Sequence, residues 1–127
     1  MTEKQITLLF KFSALFNMVI ALTLLLATDL FIEIFQMGDA VTQPVFVHLF
    51  AIVVLAFSGL YYYISKHPSQ SRAVMYFGMY AKLGVVAVCL FDTLLGNVFW
   101  TINIPASGDL IFAVLFYQAA KSQAVKD

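Results

Sequence analysis

Four long apolar segments constrain this chain more than any other feature of its sequence. They run over residues 6–27, 45–64, 73–95 and 98–118. A helix needs about 20 mainly apolar residues to cross about 30 Å of hydrocarbon, and each segment is long enough. None of the segments alternates between polar and apolar residues as a transmembrane strand does. The sequence therefore predicts an all-α, polytopic integral membrane protein with four transmembrane helices.

Composition and charge indicate the same class of protein. Of the 127 residues, 62% are hydrophobic and 11% are charged, whereas soluble domains average about 45–50% apolar and about 25% charged residues. Seven basic and seven acidic residues give a net charge of zero. Because there is no basic excess to bind phosphates, we exclude a nucleic-acid partner. The first expected partner is the lipid bilayer.

The connectors between the segments are short, and this predicts the topology. Neighbouring helices joined by short connectors pack antiparallel, so we expect an up-down bundle. The whole chain, residues 1–127, then forms one four-helix transmembrane domain.

The longest connector, residues 28–44, carries a short amphipathic pattern. Its apolar and acidic side chains fall on different helical faces, with Leu30, Phe31, Ile34 and Phe35 on one and Asp29 and Glu33 on another. A short helix lying in the membrane interface fits this pattern. It would stop near Gly38, and Pro44 would stand in the first turn of the next helix. An ordinary loop with apolar residues is the alternative.

Basic residues fall on one side of a chain that crosses the membrane four times. They are Lys4, Lys11, Lys66, Arg72, Lys121 and Lys126, and the acids Asp29, Glu33, Asp39 and Asp92 fall on the other side. The positive-inside rule then places both termini in the cytoplasm. We expect a multi-pass protein of the bacterial inner (plasma) membrane.

One basic residue, Lys82, lies inside the third apolar segment. It stands ten residues beyond Arg72, about 15 Å from the cytoplasmic end at 1.5 Å per residue. Asp109 stands twelve residues before Lys121, about 18 Å from the same end. An isolated charge at mid-membrane costs roughly 2.5–3.5 kcal/mol on insertion scales. We therefore expect Lys82 and Asp109 to pair inside the bundle.

Two interpretations of this pair stay open. It either fixes the register of the third and fourth helices, or it serves as an ion, proton or substrate site. Pro105, four residues before Asp109, bears on the choice. Within a helix it would cause a kink. If the helix instead starts at Pro105, Asp109 becomes a first-turn acid nearer the outer surface.

Four further polar residues are candidates for supporting roles. Asn17 and Ser58 lie within the first and second segments and would form hydrogen bonds between helices, or else line a ligand site. His48 and Asp92 lie near the outer ends of the second and third segments. These two could meet as a proton-relaying pair, or as an ordinary solvated pair at the helix ends.

Catalytic and metal-binding patterns are missing from the sequence. It contains no nucleophile elbow, phosphate-binding loop or zinc-protease motif. The single cysteine, Cys89, cannot form an internal disulfide, and no cluster of ligands predicts a metal. We expect neither catalytic residues nor an intrinsic cofactor, although a quinone or other lipid-soluble ligand would fit between the helices.

Four stretches carry a resemblance to a known family. They are KFSALFNMVIALTLLL, YYYISKHPSQSR, GMYAKLGVV and SGDLIFAVLFYQA. Together they resemble the small four-helix bacterial membrane proteins called DoxX-like, over nearly the whole chain. In that pattern Lys82 and Asp109 are the characteristic polar positions. For the better-known branch, the resemblance implies a place in membrane redox complexes that pass electrons to quinone.

Three functional hypotheses follow from the sequence. The first is a non-catalytic membrane component that binds a partner protein or a lipid-like molecule between its helices. The second is a small-solute or proton-coupled transporter or channel module, assembled as a homo-oligomer, with Lys82 and Asp109 as its coupling site. The third is a subunit of a membrane redox complex.

Overall fold

The computed structural model describes residues 1–38 and 41–124. Within these ranges the chain forms five α-helices and no strand. The helices are α1 (Glu3–Leu26), α2 (Thr28–Ile34), α3 (Pro44–Lys66), α4 (Arg72–Leu94) and α5 (Asn103–Ala124). Short 3-10 turns occupy Pro68–Gln70 and Trp100–Ile102. Asp39 and Lys126, two charged residues of the topology argument, lie outside the described residues.

Four of the helical segments are long and apolar enough to cross a membrane. These are α1, α3, α4, and α5 together with the turn that precedes it. The all-helical class and the four long apolar helices predicted from the sequence are confirmed. The fourth segment, predicted over about residues 98–118, corresponds to the span Trp100–Gln123, within which α5 itself begins at Asn103. Gly96 takes a left-handed backbone conformation (φ +77°), and the chain turns there before it enters α5.

Pro105 stands in the first turn of α5 and produces no kink within the helix. A first turn tolerates proline because its N–H groups have no partner inside the helix. Of the two alternatives for Pro105, the helix start is the one observed. Asp109 lies four residues further on, in the second turn of α5 rather than the first.

The connector between α1 and α3 contains the expected short helix, α2. It ends at Ile34, before Gly38, and Gln36 just beyond it has a positive φ of 52°. The apolar residues of α2 differ in burial: Phe31 is only 8% exposed, whereas Leu30 and Ile34 are exposed. The next helix begins at Pro44 as predicted.

The long helices pack as two antiparallel pairs. α1 lies along α3 and α4 lies along α5, while the two pairs touch each other far less. We call the end where α1 begins and α5 ends the terminal end, and the end with α2 and residues 95–102 the loop end. Phe10 of α1 packs with Tyr61 of α3 near the terminal end, and Leu24 packs with Ala51 near the loop end. The up-down arrangement follows from these contacts.

The terminal half of the bundle holds its larger core. Twelve buried hydrophobic residues form one cluster there: Ile6, Leu9, Phe10, Ala14, Tyr61, Ile64, Met75, Met79, Ala113, Phe116, Ala119 and Ala120. Phe10 stacks on Phe116 with ring centroids 4.4 Å apart, and Tyr61 meets Phe116 edge-on at 5.0 Å. The buried cluster of the loop half has only Leu24, Phe31 and Ala51 among the described residues. The bundle is therefore closely packed at one end and loosely packed at the other.

Close packing in the terminal half depends on Gly78, and this gives a first prediction. A Cβ at this position would lie 3.0 Å from Tyr61 Cε1 and 3.3 Å from the Phe116 ring. Both rings are fully buried, and Phe116 also stacks on Phe10, so an added methyl group must displace closely packed side chains. We expect Gly78→Ala to lower the free energy of unfolding by about 1–3 kcal/mol, as measured by denaturant unfolding in detergent micelles.

Gly84 of the same helix is the matched control. A Cβ there meets no atom within 4 Å, so Gly84→Ala should leave stability unchanged or raise it by up to about 1 kcal/mol. Equal effects at the two glycines would contradict the packing argument.

Candidate functional site

Lys82 is buried in the middle of α4, with 3% of its surface exposed. Its Nζ donates one hydrogen bond to Asp109 Oδ1 of α5 at 2.5 Å and another to Asn17 Oδ1 of α1 at 3.1 Å. The ion pair expected from the sequence is present, and Asn17 joins it. A single nitrogen atom thus connects α4 to its own partner helix and to the other pair of helices.

Aromatic rings surround the same nitrogen. Their centroids lie within 6 Å of Lys82 Nζ, at 5.5 Å for Phe16, 5.3 Å for Tyr61, 5.2 Å for Phe112 and 5.9 Å for Phe116. We call these four residues the aromatic cage. The electron-rich face of an aromatic ring attracts a cation, more strongly where water is excluded. The cage, the carboxylate and the amide oxygen together explain how the bundle buries a lysine.

The depth of Asn17 depends on where its helix begins. Counted only from Lys11, six residues before it, Asn17 would lie about 9 Å into the segment. In the structure α1 begins at Glu3, so Lys11 is already about 12 Å along the helix. With this correction Asn17 reaches the level of Lys82, which its hydrogen bond requires.

A cavity of about 430 Å³ lies between the two helix pairs, in the loop half of the bundle. Its walls are almost entirely apolar and come from all five helices; Ile20, Phe31, Phe50, Val54, Val85 and Ala106 are representative. Its floor is the boundary with the closely packed terminal half. There it is lined by Lys82, Asp109, Asn17 and Tyr61. The cavity therefore combines apolar walls with one polar surface.

Besides the third N–H of the Lys82 ammonium, three polar groups on this floor have hydrogen-bonding capacity that the described residues do not use. Asp109 is 17% exposed, and its Oδ2 accepts no hydrogen bond from residues 1–38 and 41–124. Within the same ranges, Asn17 Nδ2 and the hydroxyl of Tyr61 also form none. Asp109 and Asn17 bind Lys82 Nζ through their other polar atoms, and the Tyr61 ring lies over the same nitrogen, so the three side chains meet around it. A few convergent polar groups in an apolar cavity are typical of a small-molecule site.

His48 and Asp92 do not meet, although both are near the loop end. His48 Nε2 lies 3.0 Å from Thr28 Oγ1, and the Thr28 hydroxyl donates to the carbonyl oxygen of Leu24. Asp92 Oδ1 instead accepts a hydrogen bond from Asn97 Nδ2 at 2.9 Å. The structure therefore offers no direct proton relay between His48 and Asp92, and His48 joins α3 to the start of α2.

Ser58 and Cys89 have simpler surroundings. Ser58 Oγ donates to the carbonyl oxygen of Ala14 at 2.7 Å and so ties α3 to α1. Cys89 is half-buried on the cavity wall. In the part of the chain that the structure describes, no three His, Cys, Asp or Glu side chains lie close enough together to hold a metal ion.

Tyr61 was not among the site residues predicted from the sequence. A run of tyrosines such as Tyr61, Tyr62 and Tyr63 is typical of a membrane-interface belt, yet Tyr61 is 1% exposed and its two neighbours are about half exposed. One signal was available in the spacing. Tyr61 follows Ser58 by three residues, and residues three apart share a helix face. Because Ser58 faces α1, Tyr61 faces the bundle interior as well.

Comparison with known proteins adds no relative. The chain has no significant match to a protein-family model, a curated protein or a solved structure. The resemblance to the DoxX-like proteins therefore stays a prediction, and the site is understood from its own geometry.

The buried ion pair gives a second prediction. Removing one partner of such a pair leaves a buried charge without compensation, which costs about 3–5 kcal/mol. We expect Lys82→Met and Asp109→Leu each to lower the free energy of unfolding by that order. The double variant should recover much of the loss, because neither charge remains. Denaturant unfolding of the four proteins in micelles forms a double-mutant cycle.

Lys66 provides the control for this cycle. It is exposed, and its Nζ lies 5.3 Å from the Tyr62 ring centroid. An exposed cation–π contact is worth only about 0.5–1 kcal/mol, so Lys66→Met should have a small effect. Additive losses in the Lys82 and Asp109 cycle would show that the two charges are not coupled.

Proposed function

We propose that this protein is a non-catalytic component of the bacterial inner membrane that binds a lipid-soluble molecule between its helices. Its four long apolar helices and their exposed apolar side chains support insertion in a bilayer. The basic residues Lys4, Lys66 and Lys121 lie towards the terminal end of the bundle. By the positive-inside rule that end faces the cytoplasm, and the loop end faces the opposite side. On the sequence motifs given above, we also propose a relationship to the DoxX-like proteins.

The observation that carries the proposal is the cavity with its polar floor. Its volume of about 430 Å³ falls within the range of about 300–1,000 Å³ that is usual for small-molecule sites. Phe50 and Val53 of α3 and Val88 of α4 line it and are also exposed on the outer surface. The cavity thus reaches the surface between α3 and α4, where the two helix pairs approach each other little. A ligand dissolved in the membrane would enter there without crossing water.

A quinone is one ligand with suitable general properties, because it joins an apolar body to a small polar head. A partner protein or a second copy of the chain would instead pack on the outer faces of the helices. The cavity favours a small ligand over these macromolecules, since a volume of this size does not admit a protein segment beyond a few side chains.

Filling the cavity provides the test of this proposal. Val85 is half-buried on the cavity wall, so Val85→Phe should occupy ligand space and reduce the bound ligand at least about tenfold, a loss of about 1.4 kcal/mol of binding free energy. The measurement is native mass spectrometry of protein purified in mild detergent, with lipid-soluble molecules identified after release. Stability should not fall, because the added ring fills empty volume.

The same substitution on the outer surface is the control. Val114 of α5 is exposed and does not line the cavity, so Val114→Phe should retain the ligand of the unsubstituted protein. If the unsubstituted protein carries no such molecule, or if Val85→Phe retains it fully, the proposal is wrong.

A transporter is the second candidate, and the one-sided cavity favours it. The cavity approaches Lys82 and Asp109 from the loop half, whereas the core around Phe10 and Phe116 closes the terminal half. Access to an intramembrane polar site from one side is a property of one state in an alternating-access cycle. Transport would require the terminal half to open, which breaks the stacked contact of Phe10 with Phe116.

Exchanging the two charges separates a transport site from a structural pair. For a transporter, Lys82→Asp combined with Asp109→Lys should give a folded protein without flux in proteoliposomes, because the order of the charges along the pathway is reversed. For a structural pair, the exchange should restore most of the stability that either single variant loses. Identical solute or proton flux in unsubstituted protein and Asp109→Asn would exclude the transporter.

A further inference from the structure

We infer that the ligand of this cavity is an uncharged alcohol: an apolar body with a hydroxyl head that both donates to Asp109 Oδ2 and accepts from Asn17 Nδ2 or the Tyr61 hydroxyl. The inference rests on the proposed function and names the chemical class of its ligand. It follows from the hydrogen-bond inventory of the floor, the charge balance there and the nature of the walls.

The inventory shows that the floor offers both kinds of hydrogen-bonding group. Asp109 Oδ1 and Asn17 Oδ1 already accept from Lys82 Nζ. Asp109 Oδ2 is left as an acceptor, and Asn17 Nδ2 and the third N–H of the Lys82 ammonium are left as donors. The Tyr61 hydroxyl can act in either way. A complementary head group must therefore supply one donor and one acceptor within the reach of a single atom or a small group.

Asp109 Oδ2 decides between a carbonyl and a hydroxyl. A ketone, an ester or an oxidised quinone only accepts, so it would pair with Asn17, Tyr61 or Lys82 and cover the carboxylate oxygen without giving it a donor. Of a quinone and its reduced quinol, only the quinol carries a hydroxyl. Covering the ionised Asp109 oxygen in this way is unfavourable, because no other hydrogen-bond donor can then reach that oxygen. A hydroxyl satisfies both sides, and hydrogen bonds to an ionised acceptor are among the stronger ones.

Charge balance excludes an ionised head. Lys82 and Asp109 compensate each other at 2.5 Å, so the floor carries no net charge. An ammonium head that reached Asp109 would also lie beside the Lys82 ammonium and be repelled by it. A carboxylate head that reached Lys82 or Asn17 would lie beside Asp109. The other carboxylate among the described residues that line the cavity, Asp92, accepts a hydrogen bond from Asn97 away from the floor.

The apolar walls of the cavity determine the chemistry of the rest of the ligand. Leucine, isoleucine, valine and phenylalanine side chains line almost the whole volume above the floor, so the body of the ligand must be hydrocarbon or aromatic. The opening between α3 and α4 lets a longer tail remain in the surrounding membrane. A medium- or long-chain alcohol meets each of these conditions.

A series of probes with one body and four heads tests the inference. The probes are 1-dodecanol, 2-dodecanone, dodecylamine and dodecanoic acid, each added to the full-length protein in phosphatidylcholine nanodiscs. Binding is measured by native mass spectrometry after release from the discs, with Val85→Phe protein as the background for nonspecific association. We expect 1-dodecanol to bind at least about tenfold more tightly than each of the other three, as one satisfied charge-assisted hydrogen bond implies.

The outcomes distinguish the inference from the proposed function. If the alcohol and the ketone bind equally above the background, the hydroxyl inference is wrong and the cavity is still a ligand site. If none of the probes exceeds the background, both are wrong. The comparison of heads uses unsubstituted protein and so does not depend on the folding of any variant.

Two variants assign the preference to particular atoms. Asp109→Asn replaces the acceptor by an amide that also donates, so it should reduce the preference for alcohol over ketone to about twofold or less. Tyr61→Phe keeps the aromatic ring over Lys82 and removes the hydroxyl, so it should weaken alcohol binding severalfold without loss of stability. An unchanged preference in folded Asp109→Asn would overturn the role of Asp109 Oδ2.

Discussion

The burial of one ammonium group, that of Lys82, is the interaction on which the rest of this structure depends. All four long helices contribute to its surroundings: Asn17 and Phe16 come from α1, Tyr61 from α3, and Asp109, Phe112 and Phe116 from α5. The helix backbones approach each other much less between the two pairs than within each pair. Because a charge inside a membrane is tolerated only when it is compensated, each helix is held at the position where its side chain reaches this nitrogen.

The same requirement divides the bundle into two unlike halves. The aromatic cage continues into the terminal half, where Phe10 and Phe116 stack and Gly78 allows α4 to approach them. In the loop half, among the described residues, no buried charge draws the pairs together, and phenylalanine side chains such as Phe46 and Phe50 line an open cavity. Lys82 lies at the boundary. The close packing of the terminal half fixes the geometry around Lys82, and the cavity in the loop half gives access to it.

Local patterns in the sequence predict much of this fold. They do not predict which side chains of different helices meet in the bundle. Hydropathy predicts the four long helices, and counting residues predicts that Lys82 and Asp109 pair. Both depend on spacing along a helix, which the sequence contains. The aromatic cage depends on how the helices rotate about their axes, so Phe112 and Phe116 look like any other apolar residues of a membrane segment. A count from Lys11 underestimates the depth of Asn17, because Lys11 is exposed within α1 and does not mark the end of that helix.

A purely structural pair and a ligand site make different demands on the same residues, and the floor of the cavity meets those of a site. If the ion pair only fixed the helix register, every polar atom around it would be expected to form a hydrogen bond. Unpaired polar groups in an apolar interior are unfavourable. Here Asp109 and Asn17 each give one atom to Lys82 and keep another polar atom that no described residue binds, and both side chains line the cavity together with Tyr61. The hydrogen bonds that hold the bundle together also hold these side chains in place. On the proposed function, the structural and ligand-binding roles of Lys82 and Asp109 are therefore two aspects of one arrangement.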